Sequence, residues 1–192
     1  MKTIYSIHGG EYLAGSHIEG RFPNVNLWLP AKDTGIDLLV SDRANHCIVS
    51  LQVKFSKDYL VAHMKKEAPE FQRTLRACGW WTLNSDKMSK SPADYWVLVL
   101  QGFYNASVDY VVIPPNELSQ RLKDIHHIPP DEKPPKNWQV YLWVTNTNQC
   151  WETRGLSKDE KLLIARDNFS DPNRDFKKYR DAWGAVERLN QS

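Results

Sequence analysis

The sequence predicts an α/β fold, a central mixed β-sheet flanked by helices. Three observations predict it. Three strand-length apolar segments come early and in succession: FPNVNLWLP at 22–30, IDLLV at 36–40 and CIVSLQVKF at 47–55. YWVLVL at 95–100 is apolar throughout, the pattern of a strand covered on both faces, and YVVI at 110–113 and QVYLWV at 139–144 add two more. Segments with helical spacing precede, interrupt and follow these runs, and the alternation of the two types suits layers of helix on sheet.

The elements follow in chain order. Gly9-Gly10 lead into a short helix over Glu11–Gly20. The three early strands form a meander, with Asp42-Arg43-Ala44-Asn45 supplying turn residues between the second and third. Asp58 to about Cys78 reads as a helix that carries Lys57, Lys65, Lys66, Arg73 and Arg76 in and beside it, with His63 among them and Pro69 able to break it. Ser89-Lys90-Ser91-Pro92 is a loop. Pro114-Pro115 end the 110–113 strand, and Asn116 can cap a helix through Leu122. HHIPPDEKPPK at 126–136 holds four prolines and forms a stiff surface loop. Leu162–Ile164 belong to a short helix and Asp175–Leu189 to a longer one, in which Phe176, Tyr179, Trp183 and Val186 make one apolar stripe for the core. The whole chain, 1–192, reads as one domain, with a core over about 8–123 and a C-terminal strand and helices over 137–190.

Composition narrows the function classes. With 41% hydrophobic and 25% charged residues, neither a disordered nor a fibrous chain is expected. The net charge of +2 is too small to select or exclude a polyanionic partner, so local placement must decide. Cys47, Cys78 and Cys150 form no CxxC pair, which argues against a zinc ribbon and for reduced thiols in a cytoplasmic protein. The N-terminal MKTIYSIHGGEYL has no signal-like apolar core, and no stretch is apolar enough to span a membrane.

The chemistry sits where polar residues interrupt the apolar strands. In the third strand Gln52 and Lys54 share one face, whereas Leu51, Val53 and Phe55 share the other. In the second strand Asp37 stands between Ile36 and Leu38, an unfavourable place for an unpartnered carboxylate. A hairpin with its tip between Ala44 and Asn45 sets Asp37 opposite Gln52, with Lys54 on the diagonal, so the intrusions converge. Glu11 shares a helix face with Ala14, Gly15 and Ile18; Ile18 marks that face as inward, and the two small residues permit close approach to the sheet. Glu11, Asp37 and the Gln52 carbonyl are hard oxygen ligands suited to Mg2+ or Mn2+. A cation held there polarises a phosphodiester and acidifies a bound water. Lys54 can orient or deprotonate that water, or stabilise developing negative charge.

These segments, GGEYLAG, GIDLLV and SLQVKFS, resemble the PD-(D/E)XK nuclease superfamily, whose pattern is a helix Glu, a strand Asp and (E/Q)xK on the next strand. Glu11, Asp37 and Gln52-Val53-Lys54 match it as the QxK variant. Ile36 stands where the pattern has Pro, Gln52 is neutral, and Asp33 is a less favoured substitute acid. The resemblance covers 8–56 closely and the remainder loosely. It implies a restriction-endonuclease-like α/β core, a divalent metal on Glu11, Asp37 and Gln52, and hydrolysis of DNA. The four-residue constellation leads us to expect double-stranded DNA as the substrate, in restriction or phage defence. A cut through both strands needs two sites, which a homodimer would supply. The alternative is a nuclease-fold DNA-binding or protein-interaction subunit with a weak or lost site. For contacts outside the centre, Lys57, Lys65, Lys66, Arg73 and Arg76 are candidates to track phosphates. Trp80 or Trp81 can stack on a base, though core packing is the better expectation. His126-His127 lack a third ligand, and His8 stands close to Glu11 in sequence.

Overall fold

The computed structural model describes residues 9–32, 34–57, 71, 73–102 and 107–191. Helix α1 (Gly9–Arg21) begins it, and its buried residues, Gly10, Glu11, Ala14, Gly15 and Ile18, form the inward face expected. Strands β1 (Val25–Trp28), β2 (Leu38–Asp42) and β3 (Ile48–Lys57) follow as an antiparallel meander. The β2–β3 pairs Leu38 with Leu51 and Val40 with Val49 are those that a tip between Ala44 and Asn45 requires. Asn45 takes φ +60 there, a conformation asparagine tolerates well.

Strand β4 (Leu75–Asn84) corrects the helix expected over Asp58–Cys78, of which 58–70 and 72 lie outside the described residues. The deciding pattern is of period two. Leu75, Ala77, Trp81 and Leu83 are buried, with Trp80 and Thr82 exposed between them. The basic residues upstream suggested a solvated helix face and masked this alternation.

After a one-turn helix α2 (Ser85–Ser89), strands β5 (Tyr95–Gln101) and β6 (Val108–Ile113) complete the mixed sheet. Its order is β1-β2-β3-β5-β6, with β5 parallel to β3 and every other pair antiparallel. Helix α3 (Pro115–Ile125) follows; its cap position is Pro114, not Asn116, and no side chain caps it. Strand β7 (Asn137–Thr145) pairs with β4 on one side and with a short strand not anticipated, β8 (Cys150–Glu152), on the other, in a separate three-stranded antiparallel sheet.

Two apolar layers hold the sheets. Between them lie Trp96, Leu98, Leu100, Val111 and Ile113 of the mixed sheet, Trp81, Leu83, Val140 and Leu142 of the second, and Leu118 and Leu122 of α3. On the far side of the mixed sheet, α1 and α5 (Gly184–Gln191) cover Leu38, Val40, Leu51, Val53, Val97 and Val99. Helix α4 (Lys158–Ala165) sets Ile164 beside Cys78 and Trp143 of the second sheet in a smaller cluster. No helix among the described residues is long and apolar enough to cross a membrane.

The helix expected over Asp175–Leu189 is broken. Lys177–Tyr179 make a single 3-10 turn and α5 starts only at Gly184. Between them Arg180 bridges to Val111, and the Asp181 N–H donates to the Tyr110 carbonyl at 2.8 Å. The β6 edge thus offers backbone partners that displace the helical ones. The stripe is still core, divided between layers: Phe176 and Tyr179 lie between the sheets, Trp183 and Val186 under α1 and α5. His126 is committed to packing, its ring stacked on Trp138 at 5.4 Å.

The second sheet also buries a charge. Glu152 is fully buried; its carboxylate meets the Arg174 guanidinium at 2.8 Å and accepts the Arg154 and Tyr141 N–H groups. Burial nonetheless pushes this carboxyl up to about 7, against the pull of those donors. A raised carboxyl favours the folded state most at acid pH, below its ordinary value of 4.5, and that contribution is lost as pH rises through about 7. We expect the unfolding free energy to decline by roughly 1–3 kcal/mol between about pH 5 and pH 8. Glu152→Gln should flatten that slope in denaturant titrations at a series of pH values; an unchanged slope would assign it to other groups.

Candidate active site

The site forms where β2 stops and β3 continues. Pairing between them ends at Leu38 and Leu51, while β3 runs on to Lys57 beside β5 alone. Asp37 straddles the next position. Its N–H donates to the Leu51 carbonyl at 2.8 Å, and its carboxylate accepts the Val53 N–H at 2.8 Å. The Asp37 side chain therefore takes over where the β2 backbone leaves off, opposite Gln52, as the hairpin register demands.

The N-terminus of α1 closes on the same stretch of β3. A Cβ on Gly10 would lie 2.6 Å from the Phe55 Cβ, so only glycine permits this approach. One residue on, Glu11 is buried to 9% exposure in the first helical turn. Gln52 and Lys54 face the opposite way from Leu51 and Val53, as alternation requires, and are half-buried. The Lys54 ammonium lies 5.4 Å from the centre of the Trp96 ring, within cation–π range. The Trp81 indole N–H donates to the Lys54 carbonyl at 3.2 Å, tying the second sheet to the strand that carries the lysine.

Glu11, Asp37, Gln52 and Lys54 all line one cleft of about 580 Å3, bounded across from β3 by Trp81, Thr82 and Asn84 of β4 and by Lys87 of α2. Among the described residues no three His, Cys, Asp or Glu side chains converge. A cation in this cleft would accordingly rest on two carboxylates, the Gln52 amide oxygen and waters. That is an all-oxygen, partly hydrated set of the kind Mg2+ or Mn2+ accepts, and it offers nothing to a thiophilic metal.

The other candidates fare differently. Lys65, Lys66, His8, His63 and Asp33 lie outside the described residues, as does the side chain of Lys57. Arg73 is exposed just ahead of β4. Arg76 is not a free phosphate contact on a helix: it sits in β4 and gives two hydrogen bonds to Asp109, at 2.8 and 3.0 Å, and a third to Asn148. Trp81 is buried core, and the exposed Trp80 stacks on Tyr141 with ring centres 6.2 Å apart.

Sequence reasoning missed the far wall. Asn84 caps α2 by accepting the Lys87 N–H at 3.0 Å, and so fixes Lys87 over the cleft. The signal was present in the alternation of LRACGWWTLN followed by an Asn-Ser-Asp start for a short helix. Comparison of the chain with protein-family models, with curated proteins and with solved structures finds no match.

Proposed function

We propose that this chain is a divalent-metal-dependent endonuclease hydrolysing phosphodiester bonds of double-stranded DNA. It would be built on a restriction-endonuclease-like core and act in the cytoplasm, in restriction or phage defence. One observation carries the reading: the polar residues that interrupt α1, the start of β2 and β3 all line a single cleft. Core packing alone gives no reason for two acids, an amide and a lysine to interrupt apolar elements at one point.

Glu11, Asp37 and the Gln52 carbonyl would hold the metal, which supplies charge neutralisation at the phosphate and an acidified water when bound. Lys54 keeps a cation beside the cleft from the same strand as Gln52. It can stabilise charge developing on the phosphate or orient the attacking water. The buried floor of Trp81 and Trp96 restricts water on that side and strengthens each charge interaction within the cleft.

Supercoiled and linear duplex DNA should be cut in the presence of Mg2+ or Mn2+. Cutting should stop on chelation with EDTA and return with excess metal. Lys54→Ala should lower the single-turnover rate by on the order of 10²-fold. Cutting that survives both chelation and Lys54→Ala would sink the assignment. The neutral Gln52 favours a second reading, a nuclease-fold DNA-binding or protein-interaction subunit with a weakened centre. Calorimetric titration with Mn2+ separates the two, since a weakened centre predicts no saturable binding that Asp37→Asn removes.

A further inference from the structure

A second depression of about 500 Å3 adjoins the cleft and shares Gln52 and Lys87 with it. Its lining includes Lys90, Thr34, Gly35 and Asp86. Gly35 adopts φ +85, and a Cβ there would meet the Pro92 ring at 3.4 Å and the Gln52 amide nitrogen at 3.7 Å. Its lack of a side chain keeps this floor open beside Gln52. Lys87 and Lys90, from α2 and its C-terminal cap, are both exposed. With Lys54 they place three cations along one continuous depression, against the acids Glu11, Asp37 and Asp86.

Strand β4 adds a backbone donor to the same wall. The Ser85 N–H donates to the Lys136 carbonyl on the β7 side, whereas the Trp80 N–H turns the other way, to the Ser56 hydroxyl at 2.9 Å. Alternation therefore turns the Thr82 N–H away from β7 as well, on the side of the cleft that Thr82 lines.

We propose that Lys87 and Lys90 hold the DNA phosphates next to the one to be cut, so that the strand runs from the Lys54 end of the cleft, past Gln52, into the Gly35 depression. This rests on the nuclease reading and assigns its substrate path. Two ammonium groups at successive positions along an open groove suit a phosphodiester backbone, which presents a charge at each nucleotide. Neither lysine is among the metal-holding residues.

The test uses the full chain and a fluorescent DNA duplex, with binding read by anisotropy in Ca2+ across a range of NaCl and cleavage read in Mg2+. Lys87→Ala/Lys90→Ala should weaken binding by on the order of 10-fold and reduce the slope of log K against log salt by about 2. In cleavage the loss should fall on KM more than on kcat. Both side chains are exposed, so the unfolding midpoint should be unchanged, and a shifted midpoint is controlled by the charge-keeping Lys87→Arg/Lys90→Arg, which should restore binding. A wild-type chain that binds without cutting, with the slope still dependent on the two lysines, keeps the phosphate contacts but sinks the nuclease reading and, with it, their place beside a phosphate to be cut. Unchanged slope and KM in the double Ala variant overturn the path while leaving the nuclease reading intact. A wild-type chain that binds no duplex overturns both.

Discussion

Asp37→Asn should leave a folded protein that cuts DNA slower by on the order of 10³-fold or more. The substitution keeps the shape of the side chain and an oxygen able to accept the Val53 N–H, the contact that joins the end of β2 to β3 at 2.8 Å. It removes one of the two negative charges offered to a cation, leaving Glu11 with two neutral oxygens. Asp37→Ala should be equally inactive but also less stable, by about 1–3 kcal/mol, because it strips the Val53 N–H of that acceptor. The pair of variants separates two roles that a single alanine substitution would merge. Rates from single-turnover cleavage and midpoints from thermal unfolding are the two readouts. An Asp37→Asn protein that cuts at the wild-type rate would remove Asp37 from the chemistry.

The part of this site legible in the sequence was the part governed by local periodicity. Alternation fixes Gln52 and Lys54 on one face of β3 whatever the tertiary structure. The turn residues Asp42–Asn45 fix the hairpin register, and the register brings Asp37 to Gln52. Glu11 needed a helix phase, which Ile18 and Ala14 supplied. The second sheet was hidden because its first strand is remote in sequence from the other two. Strand β4 pairs with β7 across more than fifty residues, and no local pattern in either names the other. The wall that β4 and α2 present to the cleft, Trp81, Asn84 and Lys87, was hidden with it.

The misread elements share a cause. Helical spacing over Asp175–Leu189 is genuine, and the four residues of its apolar stripe are all buried. Spacing reports which residues face the interior, however, and does not report whether the backbone finds better partners outside the helix. The β6 edge supplied such partners at Arg180 and Asp181. Arg76 shows the same limit for charge. A cation near other cations suggested a phosphate contact, but its actual partner, Asp109, lies thirty-three positions on.

That ion cluster carries the largest expected effect on stability. Asp109 has no exposed surface, and its carboxylate accepts from Arg76 at 2.8 and 3.0 Å and from Arg180 at 2.9 Å. It thereby joins β4 of the second sheet, β6 of the mixed sheet and the segment that leads into α5. Asp109→Ala would leave two largely buried guanidinium groups without their shared carboxylate, only Arg180 keeping an acid among the described residues, the partly exposed Asp181 at 4.0 Å. Removing one partner of a buried ion pair costs about 3–5 kcal/mol, a large share of the 5–15 kcal/mol that stabilises a typical domain. The exposed pair of Lys178 with Glu117 is the internal control: Lys178→Ala should cost under about 1 kcal/mol. Urea unfolding of both variants gives the comparison. A triple replacement, Arg76→Met/Asp109→Leu/Arg180→Met, removes all the charges together and should recover most of the Asp109→Ala loss. If Asp109→Ala costs no more than Lys178→Ala, the cluster is not what holds the two sheets and the C-terminal segment together.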